Sequence, residues 1–300
     1  MSSVTVRVPA TTGNMGSGFD CVGMALGLYN TVEIIEETSG ISVEVSGEGT
    51  DLVPLDASNA CVVAANRVLD EIGYDIRGLR FRLNHEIPVS RGLGSSGVAI
   101  VAGAFGANEL TGRTLDVNTL IRICSELEGH PDNVVPSLLG GLSISGPRYG
   151  TIVYQTYDMP SDLSAVVAVP DFALETRLAR EALPESVPLD DAVYNVCSVG
   201  LLVGGLLSGD YSLLRAGTDD RLHQPYRASL VPGLVQVMDA ALNAGSHSAA
   251  LSGAGPTVIA LASESHEQVA EAMAAAFLAH DITSRTMVLS IDNAGAQILT

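Results

Sequence analysis

The segment IPVSRGLGSSGVAIVAGAFGANEL, Ile87 to Leu110, decides how this chain is read: a glycine- and serine-rich loop empties into a helix of small residues. Gly92, Gly94 and Gly97 lack a Cβ, so the backbone there turns tightly and approaches a ligand closely, and Ser95 and Ser96 suit a helix start. A helix end offers free N–H groups and the positive end of a dipole, which together seat a phosphate. The run Pro88, Val89, Ser90, Arg91, Gly92, Leu93, Gly94, Ser95, Ser96, Gly97, Val98 is the expected nucleotide-phosphate cradle. The plainer reading is a loop that only turns.

GLGSSG at 92–97 also spells G-x-G-x-x-G. A dinucleotide fingerprint needs a hydrophobic strand running straight into the first glycine and an acid closing a second strand about 20 residues on. Pro88, Ser90 and Arg91 intervene, and Asp116 opens DVNTLIRICSELE, whose periodicity is helical. A P-loop needs a lysine on the phosphates, and all 15 basic residues are arginine. The same absence excludes a lysine Schiff base.

A length of 300 residues allows one large or two ordinary domains. Its net charge of −19 argues against nucleic acid or an anionic membrane as partner, so an anionic substrate requires a local arginine cluster. Cys21, Cys61, Cys124 and Cys197 show no C-x-x-C spacing and are expected to be buried small hydrophobes of a reducing cytoplasm. No signal pattern opens the chain, and no apolar run is expected to reach membrane length once glycines and charges are counted.

Val4 to Val8 alternates as a strand and breaks at Pro9 into a second glycine loop, PATTGNMGSGFDCVGMAL. Thr31–Glu37 and Ile41–Ser46 read as a strand pair joined around Ser39 and Gly40, and Ser58–Ile72 as a helix stopped by Gly73. The composition turns to loop at GPRYG, which places a domain boundary after Gly150. Beyond it, helices alternate with strands in an α+β manner, and HSAALSGAGPTVIALA reads as strand, glycine turn and strand.

The three loops PATTGNMGSGFD, PVSRGLGSSG and LSGAGPT resemble the motifs of the small-molecule kinases that include galactokinase, homoserine kinase, mevalonate kinase and phosphomevalonate kinase. Within that superfamily PATTGNMGSGFDCVGMAL, ELEGHPDNVVPSLLGG, ETRLAREALP and HQPYR resemble the homoserine kinases, in order along the whole chain. The resemblance implies an α+β fold of two domains. Residues 1–150 would be ribosomal-S5-like and 151–300 ferredoxin-like, with ATP and substrate in the cleft between. Gly97 departs from the more usual alanine, which is expected to loosen the helix start without touching the chemistry.

Phosphoryl transfer asks for positioning and charge neutralisation, and magnesium for hard oxygens. The resemblance puts Mg2+ on Ser96 and Glu128; by itself Glu128 reads as a solvated helix-end residue. Homoserine carries an ammonium, a carboxylate and a hydroxyl. Asp20 suits the ammonium and Arg180 with Arg227 the carboxylate, although either arginine alone reads as a surface ion pair. Asn14 and Asn133 are left for the hydroxyl end, with Thr176 behind them. Ser252–Gly255 is expected to buttress the cleft, and His130 is given no role.

Sister kinases place an aspartate where Asn133 falls, so a mechanism without a carboxylate base is expected, Asp132 serving as a cap for the N–H groups of Val134 and Val135. The alternatives left open are a sister kinase of a mevalonate-like or shikimate-like alcohol, a noncatalytic metabolite-binding regulator on the same fold, and a nicotinamide oxidoreductase. A homodimer is left open by the sequence.

Overall fold

Val4, Val6 and Val8 bury one face of the first strand, which runs on through buried Thr11 and Thr12 to Gly13. The computed structural model describes residues 2–299. Its strands are β1 (Ser3–Gly13), β2 (Val22–Glu37), β3 (Gly40–Gly47), β4 (Gly78–His85), β5 (Leu142–Arg148), β6 (Thr151–Tyr157), β7 (Ser164–Pro170), β8 (Ser248–Leu251), β9 (Val258–Ala262), β10 (Ser284–Ser290) and β11 (Gln297–Ile298). The helices are α1 (Ala60–Ile72), α2 (Ser95–Leu110), α3 (Val117–Glu128), α4 (Val134–Leu139), α5 (Thr176–Glu181), α6 (Leu189–Ser208), α7 (Leu214–Gly217), α8 (Gln224–Arg227), α9 (Leu234–Asn243) and α10 (His266–Leu278).

The first sheet has the order β11-β1-β2-β4-β3, with the β5–β6 hairpin attached to β2. β2 and β3 are joined around Ser39 and Gly40 but do not pair. β4 inserts between them, antiparallel to β2 and parallel to β3. Burial explains the correction: Leu79, Phe81 and Leu83 of β4 are buried, whereas β3 buries Val43 alone and sits at the edge. The second sheet, β10-β7-β9-β8, is antiparallel and carries α9 and α10 against buried Val166, Ala168 and Ala260. Both match the expected mixture of helices and strands.

Asn59 caps α1 by accepting the Cys61 N–H, one residue beyond the expected start, and Gly73 ends it in the left-handed conformation. α1 lies against α2 so closely that a Cβ on Gly103 would stand 2.0 Å from the Cys61 carbonyl oxygen. That contact explains the run of small residues after the glycine loop. α2 is thereby buried along most of its length, and only its N-terminal end opens towards the cleft.

Arg148 pairs with Thr151 inside the β5–β6 hairpin, so the division expected after Gly150 falls at a hairpin tip within the first sheet. We propose that the division lies after Tyr157, with β11 returning to the first sheet beside β1. α6 also departs from expectation, being long and apolar enough to cross a membrane by length and composition, at mean hydropathy 1.4.

Candidate active site

Three loops with left-handed residues converge on one cleft of about 100 Å³. The first loop joins β1 to β2 and is shorter than its glycines suggest, residues 14–21 only. Asn14 and Asp20 both take positive φ, 68° and 51°, and the Asn14 side chain holds the turn by accepting the Asp20 N–H at 2.9 Å and donating to the Gly253 carbonyl at 2.8 Å. Such conformations persist only where surrounding contacts enforce them. The third loop locks onto the second: Ser252 donates to the Gly92 carbonyl at 2.6 Å, and the Thr257 N–H to that of Arg91 at 3.2 Å.

Gly94, at φ 71°, is the N-cap of α2, and no side chain caps the helix. Ser95 and Ser96 therefore stand inside the first turn rather than before it. A Cβ on Gly94 would lie 1.9 Å from the Thr11 hydroxyl, so glycine is required for space as well as for conformation. The first-turn N–H groups are left to a ligand.

Asn14, Asp20, Ser96, Glu128, Asn133, Thr176, Arg180 and Arg227 all line this cleft, with Ser90, Gly92, Gly94 and Ser95 of the cradle. Pro88 and Arg91 line a separate groove, where Arg91 donates to the carbonyls of Pro170 and Asp171, both at 3.2 Å. Val89 lies against Gly49, while Leu93, Gly97 and Val98 are buried beneath the loop. A Cβ on Gly97 would come within 3.3 Å of the Asn133 Cβ and 3.7 Å of a Glu128 oxygen.

On one wall, the Ser96 hydroxyl donates to the Glu128 carboxylate at 2.7 Å. Burial holds the Glu128 carboxyl above its ordinary range, against the opposing pull of the Ser96 bond and of His130. On the other wall Arg227 is buried, donating to the carbonyls of Ala179 at 3.1 Å and Gly253 at 3.2 Å and to His223 Nδ1 at 3.2 Å. Burial, with Arg180 beside it, pushes Arg227 down to about 10. His223 is itself buried, and its Nε2 donates to the Gly16 carbonyl at 2.8 Å.

Asp132 is not a helix cap. Asn133 holds the N-cap position of α4 without a side-chain bond, and the Val135 N–H goes to the Pro131 carbonyl. Asp132 is instead buried in the cleft wall and bonded to His130 Nδ1. Burial would lower the His130 imidazole, but the bond to Asp132 and the charges of Asp132, Glu128 and Asp20 hold it above its ordinary value. Asn133 accepts from the Thr11 hydroxyl at 2.7 Å. His130 and Asp132 are thus lining residues to which the sequence assigned no site role, whereas Gly253, Ala254 and Gly255 belong to the Ser252–Gly255 loop expected at the cleft.

Residues 59–141 match the GHMP kinases N terminal domain, and residues 202–279 match GHMP kinases C terminal. A homoserine kinase from Desulfitobacterium hafniense is 42% identical over 99% of this chain and 100% of that protein. One from Carboxydothermus hydrogenoformans is 41% identical over 98% and 96%. The crystal structure of homoserine kinase from Cytophaga hutchinsonii superposes with a TM-score of 0.91 at 31% identity, covering 100% of this chain and 98% of that one. With both halves matched and full-length relatives above 40% identity, the chain belongs to the GHMP kinase family, in its homoserine kinase branch.

Proposed function

We propose that this cleft transfers the terminal phosphoryl group of ATP to the hydroxyl of L-homoserine, giving O-phospho-L-homoserine for threonine biosynthesis. One observation carries the reading: a carboxylate and two arginines, Asp20, Arg180 and Arg227, share a small cleft with the uncapped start of α2. The first set matches the charged ends of an amino acid and the second matches phosphate.

Asn14 and Asn133 reach the same cleft and suit the hydroxyl end, as donor or acceptor. Backbone N–H groups of the 92–97 loop hold the phosphates, and the third loop keeps that loop in place. The site also fits a divalent cation. Ser96 and Glu128 present adjacent hard oxygens, and a cation there relieves the cost of a half-buried carboxylate. Magnesium bound by these two residues supplies neutralisation of charge on the transferring phosphoryl group.

Among the described residues lining the cleft every carboxylate is engaged, Asp20 by Arg180, Glu128 by Ser96 and Asp132 by His130. A loose transition state needs little activation of the alcohol, whose proton leaves late. Coupled ADP release measured with L-homoserine, mevalonate and shikimate tests the reading. Turnover with homoserine alone is expected, and turnover confined to another alcohol overturns it.

A further inference from the structure

Arg227 meets the cleft with one end of its guanidinium. Nε donates to the Ala179 carbonyl, and both hydrogens of Nη1 are taken, by the Gly253 carbonyl and by His223 Nδ1. A guanidinium carries five N–H donors, so among the described residues only the two on Nη2 remain for a carboxylate. Two of the three anchors are backbone carbonyls, which any sequence would supply. The third is a side chain that reaches beyond Arg227.

His223 is buried, and its two nitrogens have partners of opposite kind. The Gly16 carbonyl can only accept, so Nε2 carries the proton, and the Arg227 guanidinium can only donate, so Nδ1 carries the lone pair. The ring is therefore neutral and held in one tautomer. Burial keeps it below its ordinary pKa, and the Arg227 charge adds to this against the pull of the Asp220 carboxylate, 3.6 Å from Nε2. Asp220 itself is engaged by backbone, accepting the N–H groups of His223 at 2.9 Å and Gln224 at 2.7 Å, which fixes the start of α8. Phe19, next to Asp20, stacks on the His223 ring with centroids 5.1 Å apart and stands 5.3 Å from Arg227 Cζ.

We propose that His223 is a positioning residue, tying Arg227 to Gly16 of the loop that carries Asn14 and Asp20, and so fixing the separation between the partners of the substrate's carboxylate and ammonium. The inference rests on the homoserine reading of this cleft. A zwitterion is gripped at two points, and it binds best when both stand in place before it arrives. Among the described residues no hydrogen bond of the His223 ring goes to the 92–97 loop. Loss of the link should therefore weaken the grip on homoserine and leave ATP binding and the chemical step in place.

Two variants test the link. His223→Leu removes both ring nitrogens, whereas His223→Asn puts an amide oxygen near the place of Nδ1 and keeps an acceptor for Arg227. In the first the KM for homoserine should rise roughly tenfold or more, the scale of one lost bond to a charged group, and in the second most of that rise should be recovered. In both, kcat and the KM for ATP should stay within a few-fold of the parent. The control substrate is 3-aminopropan-1-ol, which offers Arg227 no carboxylate, and the two variants should turn it over with equal kcat/KM. Nitrogen NMR of the histidine-labelled parent reads the tautomer directly, the His223 signals being those missing from His223→Asn, and it decides should His223→Leu fail to fold. Protonated Nε2 and bare Nδ1 are expected at neutral pH. With homoserine turned over by the parent, an equal KM in the two variants, a gap between them as large for 3-aminopropan-1-ol as for homoserine, or a cationic or Nδ1–H ring would overturn the inference alone. A parent inactive on homoserine would overturn the substrate reading and the inference with it.

Discussion

The Arg180 guanidinium donates to both carboxylate oxygens of Asp20, at 3.0 and 2.9 Å, so two residues suited to opposite ends of a zwitterion hold each other. Both side chains keep more than a third of their exposure, 39% for Arg180 and 34% for Asp20, so water screens the pair and parting it costs little. An amino acid entering the cleft replaces one ion pair by two. Asp20→Asn removes the ammonium partner while leaving Arg180 free for the carboxylate. We expect the KM for homoserine to rise roughly 10- to 100-fold with kcat within a few-fold, as removal of uniform binding requires. Steady-state kinetics check this, and an unchanged KM moves the ammonium elsewhere.

Arg227→Lys keeps the charge and loses the fork. Lysine cannot reproduce bonds to Ala179, His223 and Gly253 while still reaching a substrate carboxylate, so KM should rise. Two buried carbonyls also lose a donor, which should lower stability by about 1–3 kcal/mol. Denaturant unfolding read beside KM separates the two losses; a variant matching the parent in both would remove Arg227 from the clamp.

Glu128→Gln should lower kcat by about 10²-fold at saturating magnesium, the scale of one preorganised electrostatic contact. Because burial raises the Glu128 carboxyl, the folded, metal-free protein binds that proton more tightly than the unfolded chain does. The group therefore favours the fold at low pH, and that contribution is lost as pH rises through the raised value. Proton and cation compete for the same oxygens. Magnesium affinity, measured by titration of activity, should accordingly weaken with falling pH before an ordinary carboxylate near 4.3 would begin to protonate. Affinity flat down to that pH contradicts the assignment.

The glycine loops were legible because each keeps its chemistry within a few residues, whereas Ser96 with Glu128 and Arg180 with Arg227 are separated by 32 and 47 positions and only the family resemblance set them together. Asp132 was not legible. Its side-chain direction depends on where α4 begins, and the N-cap falls on Asn133, one residue later than a capping Asp132 requires. His130 was illegible for the same reason, since its partner is that aspartate. The place of β4 between β2 and β3 is set by which strand buries more surface, a comparison across the sheet that no local pattern contains. The outer face of α6 reads as core in one dimension and is open in three.

Asp132→Asn now tests position rather than capping. The variant keeps an amide oxygen to accept from His130 but loses the charge that holds the imidazole up and a negative wall of the cleft, so we expect KM for homoserine to rise and kcat to fall about tenfold or less. A fall of about 10³-fold or more in folded protein, the scale of a lost general base, would make Asp132 the catalyst.

The central claim is that the cleft recognises a zwitterion through Asp20, Arg180 and Arg227 while it phosphorylates a hydroxyl. The most direct measurement is kcat/KM for L-homoserine against 3-aminopropan-1-ol, which lacks the carboxylate, and 4-hydroxybutanoate, which lacks the ammonium. Each analogue parts Asp20 from Arg180 and leaves one of them unpaired. Both should be poorer substrates by at least about 10²-fold, after discounting for the exposure of the pair. Turnover of either analogue within tenfold of homoserine would contradict the account.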